Sequence, residues 1–145
     1  MYYCLIESAA LIAGRPTAID QELTRLLNQL ADAGVPVRIV AFSEGNPLLR
    51  RVALNGARFA PGSIVIPYSS PLARQTLREA LPATVRLISN ENNPTDFINV
   101  LQGIDLMRRG NRLGGAYRMF GGYVGWKFDQ LTGFLFTRHR MPRVR

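Results

Sequence analysis

Side chains that commonly carry covalent or metal chemistry are scarce in this chain. Its 145 residues include one cysteine, Cys4, and one histidine, His139. A lone cysteine forms no disulfide within the chain, so a reducing, cytoplasmic compartment is expected. Cys4 lies in an apolar run and reads as a small buried hydrophobe. His139 sits between Arg138 and Arg140 and offers neither a Ser–His nor a Cys–His pair. No Cys/His cluster suggests zinc. Lysine is nearly missing as well: of 18 basic residues, all but Lys127 are arginine, whose planar fork suits bidentate contacts to phosphate. No apolar run reaches the ~20 residues of a membrane helix, so no span is expected. The opening MYYCLIESAALIAG lacks a basic stretch, and Glu7 interrupts it, which argues against a secretory signal.

Acidic residues are missing from one region only. Residues 1–107 hold nine arginines and nine acids and sum to zero. Residues 108–145 hold eight arginines, Lys127 and a single acid, Asp129, and carry the whole net charge of +8. Composition therefore divides the chain into a neutral body, 1–107, and a basic arm, 108–145.

The body repeats one local pattern three times. VRIVAFSEGNP, SIVIPYSSP and VRLISNENNPTD each run from an apolar strand into a polar loop, a capping residue and a proline. Such a proline sits in the first turn of a helix, where a missing N–H costs nothing. Between 17 and 34, Ile19, Leu23, Leu26, Leu27 and Leu30 form one helical stripe, with Asp20 as a capping partner and Gly34 as the stop. Strands are expected at 2–6, 35–42, 64–68, 84–89 and 104–107. Helices are expected from 17, and at 47–55, 71–81 and 95–102, with Gly103 ending the last. Pro67 suggests an edge strand or an early end. Strands alternating with helices predict an α/β fold, a parallel sheet of about five strands with helices on both faces. Ser43, Glu44, Ser69, Ser70, Asn90 and Glu91 then share the carboxyl edge of the sheet, where open α/β proteins bind ligands.

The arm holds seven of the 13 glycines and seven of the 13 aromatics. Residues 123–128 and 134–138 are expected to pair as a β-hairpin around DQLTG. Arginine alternates with aromatics through Arg112, Tyr117, Arg118, Phe120, Tyr123, Trp126 and Lys127, followed by Arg138, Arg140, Arg143 and Arg145. Cations neutralise phosphates and aromatic faces stack on unpaired bases, so nucleic acid is one expected partner. The other is a protein subunit, a second copy included, that covers the aromatics.

The segments LIESAALIAGRP, LADAGVPVRIVAFSEGNPLLRRV and LISNENNPTDFINVLQGI resemble, in order and spacing, the motifs of the haloacid dehalogenase-like superfamily. The resemblance covers residues 2–107. It implies a Rossmann-like phosphotransfer fold with Mg²⁺ as cofactor. Carried over, Glu7 stands at the nucleophile, Ala9 at the general acid/base, Ser43 at the phosphoryl-binding position and Arg74 at the basic position. Glu91 and Asp96, with Glu7, lie near the metal. Two positions depart from that family. Glu7 is one methylene longer than the family's aspartate, and Ala9 has no proton to transfer, a step commonly contributing ~10²–10⁴-fold. The expectation is therefore a non-catalytic binding or assembly protein, a degenerate scaffold whose arm contacts nucleic acid or a partner subunit. The alternatives are a metal-dependent phosphatase or phosphotransferase, and a PIN/NYN-like nuclease with Glu7, Glu44, Glu91 and Asp96 around a metal.

Overall fold

The structure is a computed structural model, and it describes residues 17–88 and 98–132. Within them the chain runs α1 (Ala18–Asp32), β1 (Arg38–Phe42), α2 (Gly45–Leu54), β2 (Ile64–Tyr68), α3 (Arg74–Ala80), β3 (Arg86–Leu87), α4 (Ile98–Arg108) and α5 (Arg112–Thr132).

The leucine stripe makes α1. Asp20 accepts the N–H of Thr17 at its start. At its end Gly34 adopts φ +68°, and the bonds Gly34 N to Ala31 O and Val35 N to Leu30 O close the last turn. Asp20 has a second partner beyond its own helix. Arg51 of α2 donates to Asp20 Oδ1 through Nη2 at 2.8 Å and Nε at 3.1 Å, and both side chains are buried. This pair joins α1 to α2.

The three strands are parallel in the order β1-β2-β3. This order sets the layering. Successive right-handed crossovers that step in the same direction across a sheet place their helices on the same face. Buried Ala41, Val65, Val85 and Leu87 accordingly meet Leu27, Leu49, Val52 and Leu77 from α1, α2 and α3 in one core. The opposite rows of the sheet carry Arg38, Ile64, Ile66, Tyr68, Arg86 and Ile88, which line an open groove of about 310 Å³. The expected five-stranded sheet with helices on both faces is thus corrected. Three strands are found among the described residues, and α1 to α3 share one face. Helices on both faces need a reversal in strand order, and the described order has none.

Three local expectations also change. Pro67 lies in the central strand of the described sheet, opposite Ala41. Ser63 O and Val65 O accept bonds from Arg86 and Ile88, so the odd-numbered residues of β2 bond toward β3. Among the described residues the pairing there ends at Val65 with Leu87, before it reaches the proline. Residues 104–107 form no fifth strand but belong to α4, which passes through Gly103. Residues 123–128 form no hairpin strand but lie in the 21-residue helix α5. The expected strands at 2–6 and 134–138 lie outside the described residues.

Asp105 explains why α4 continues past Gly103. The N-cap position of α3 is Ala73, which has no capping side chain. Asp105 Oδ2 accepts the Ala73 N–H at 2.8 Å and the Thr76 hydroxyl, and so caps α3 from another helix. One turn on, Arg109 forks onto Glu79, with bonds of 2.9 and 2.7 Å. The Arg109 hydrogen bond is the largest influence on Glu79 and holds its carboxyl below the usual carboxylate value.

Candidate interaction site

Two features combine residue chemistry with an unusual placement. The first is the carboxyl edge of the sheet. Ser43 follows β1 with φ +49° and Ser69 follows β2 with φ +43°. A non-glycine residue in this left-handed region costs roughly 1–2 kcal/mol and needs surroundings that enforce it. Asn46 provides them. It is fully buried, and its Nδ2 faces Ala41 O at 3.1 Å, Ser43 O at 3.0 Å and Tyr68 O at 3.2 Å. One amide therefore ties the ends of β1 and β2 together. Gln102 of α4 does the same for the next loop, donating to Ser70 O at 3.3 Å and Leu72 O at 3.1 Å. The edge named from the sequence is thus a hydrogen-bonded clamp. Asn46 and Gln102, its principal ties, lay outside the sequence expectation. Asn46 stands three residues after Ser43 at a helix start, which is the signal that would have found it.

The second feature is the hairpin of α4 and α5. Gly110 takes φ +84° at the end of α4, with Gly110 N bonded to Met107 O and Asn111 N to Leu106 O. Asn111 then caps α5, its Oδ1 accepting the Gly114 N–H at 3.0 Å. A Gly–Asn pair thus punctuates two helices. Gly103 and Gly115 bring them together. A Cβ on Gly103 would lie 2.6 Å from Gly115 O and would also collide with Met119. A Cβ on Gly115 would lie 2.7 Å from Gly103 O and would also collide with Met107. Gly115 is therefore a contact residue of a close helix pair, and Gly122 is buried as well.

With glycines on one face, α5 turns its large side chains the other way. Leu113 is 87% exposed, Tyr117 71%, Phe120 70%, Tyr123 51% and Val124 45%. Leu113, Tyr117, Phe120 and Val124 follow a 4-3-4 spacing, one stripe along the helix. Cations flank it. Arg112 is exposed, and Lys127 Nζ lies 5.8 Å from the centre of the Tyr123 ring.

The sequence-derived site residues separate accordingly. Ser43 is at the clamp, with its N–H on Tyr68 O. Arg74 opens α3 and donates to Leu87 O at 3.3 Å. Arg112, Arg118 and Lys127 lie on α5, and Arg118 is turned toward α4, donating to Asn99 Oδ1 at 3.3 Å. Trp126 lies in α5, and its side chain falls outside the description. Glu7, Glu91, Asp96, Arg138, Arg140, Arg143 and Arg145 lie outside the described residues, so the structure places no Mg²⁺ ligand set. Among the described residues, no three of His, Cys, Asp and Glu come together as a metal site. No helix among them is long and apolar enough to cross a membrane.

Comparison with protein-family models, with curated proteins and with solved structures finds no match to this chain.

Proposed function

We propose that this chain is a binding or assembly protein without catalysis of its own, and that α5 is the element that engages its partner. The observation that supports this reading most is the outward stripe of Leu113, Tyr117, Phe120 and Val124. Large apolar side chains aligned on one exposed face, beside a cationic rim, have the character of a recognition surface. Ala9, at the position where the resemblance expects an acid/base group, supports the non-catalytic half.

Charge favours a second reading of the same region. Residues 108–145 carry the entire +8, and Arg108 and Arg112 are exposed. A contact to nucleic acid would use these cations on phosphates and Tyr117 and Phe120 on bases. The mixture of Leu113 and Val124 with the two aromatics favours a protein partner, because aliphatic side chains do not stack on bases.

Affinity purification of the tagged chain under a high-salt wash tests both. Protein should be retained by the native chain and lost from a Tyr117→Glu/Phe120→Glu variant that keeps its unfolding transition. Material removed by nuclease would select the second reading. Identical retention by both chains would refute the role of α5.

A further inference from the structure

We propose that the partner of α5 is a second copy of this chain, the two helices crossing antiparallel through Leu113, Tyr117, Phe120 and Val124. This rests on the reading above that the outward face of α5 is a contact surface.

The spacing of the stripe supports it. The steps 4-3-4 between these four residues match the core positions of paired helices, so the shape that fills the stripe is another helix. They are also palindromic: read backwards, the stripe has the same steps. Under a two-fold axis, Leu113 of one copy then falls opposite Val124 of the other, and Tyr117 opposite Phe120. Each pair occurs twice, which is the self-complementarity an isologous interface requires.

Charge is compatible with the same register. None of the four stripe positions is charged, so identical strips meet without opposed cations. Arg112 falls opposite Gly125, and Lys127 opposite Gly110. The stripe is about 16 Å long at a rise of ~1.5 Å per residue, within the reach of two crossed helices before they diverge.

The area is sufficient. Tyr117, Phe120 and Tyr123 are half to three-quarters exposed, and aromatic side chains bury ~150–250 Å² each when fully covered. With Leu113 and Val124, the face offers on the order of 600–700 Å² per copy, close to the ~800 Å² per partner of a standard interface. The glycine contacts between α4 and α5 hold the face in place before association, which lowers the ordering cost of docking.

Sedimentation equilibrium of the full chain reads the result. The mass should rise with concentration from 16.2 kDa to twice that value. A Tyr117→Ser/Phe120→Ser variant should dissociate at least about tenfold more readily, with an unchanged thermal unfolding transition, since central aromatics commonly dominate such contacts. Orientation is read separately in a Cys4→Ser background. Leu113→Cys protein mixed with Val124→Cys protein should form a disulfide-linked dimer, and Leu113→Cys alone should not. A chain that stays monomeric at every concentration overturns the proposal. So does a dimer indifferent to both serines, or one cross-linked by Leu113→Cys alone. A monomer that still retains another protein through α5 would overturn this inference and leave the assembly reading standing. A monomer that retains nothing through α5 would overturn both.

Discussion

Asp20→Ala is expected to destabilise the fold by about 3–5 kcal/mol, the usual consequence of removing one partner from a buried ion pair. Asp20 has one oxygen on two nitrogens of Arg51 and the other on the Thr17 N–H. Its removal strands a buried guanidinium and opens the start of α1. Urea unfolding should show a lower midpoint at an unchanged slope. Replacing both partners, as in Asp20→Leu/Arg51→Met, should recover much of the loss, because no uncompensated charge remains inside. A single-variant loss below about 1 kcal/mol would mean that Arg51 reaches water once Asp20 is gone, and that the pair does not join the two helices.

Asn46→Ala is expected to cost about 1–3 kcal/mol, the loss of one buried amide that bonds across two strand ends, while Ser43 O and Tyr68 O keep the backbone donors Asn46 N and Ser43 N. The carbonyls that the amide faces, of Ala41, Ser43 and Tyr68, belong to the ends of two strands. The backbone strain at Ser43 and Ser69 would lose its restraint, so the damage should concentrate at this edge. Hydrogen exchange should report it as faster opening of Ser43 and its neighbours while α1 stays protected. Asn46→Asp should be worse at neutral pH, because a carboxylate would face the same carbonyls. Equal stability of Asn46→Asp and the native protein would show that the amide donor is dispensable.

The sequence made single elements legible where each signal was local. The leucine stripe and Gly34 delimit α1 nearly as observed, and 64–68 matches β2. It left the layering illegible, because alternation of strands and helices carries no information on strand order. A reversal in that order would place helices on both faces; β1-β2-β3 without one places them on the same face.

Residues 112–132 misled for a different reason. Five glycines within one helix, at ~1 kcal/mol each relative to alanine, speak against a helix on propensity alone. Tertiary contact overrides that cost at Gly115, where only a missing side chain lets α5 approach Gly103. Two signals for the helix were nonetheless present. Gly110–Asn111 is a stop followed by a cap, and the 4-3-4 stripe has helical rather than strand spacing. The sheet-edge serines follow the strand ends, and Asn46 carried a local signal in its place at a helix start, but Gln102 came from a helix whose docking no local pattern predicts.

Photo-crosslinking in cells tests the central claim most directly. A photoreactive phenylalanine analogue is placed at Tyr117 or Phe120 on α5, and at Gln75 on the exposed side of α3 as a control. The account predicts a discrete protein adduct from positions 117 and 120, and none from position 75. Absence of any adduct at 117 and 120, or equal adducts at all three positions, would contradict the assignment of α5 as the contact surface.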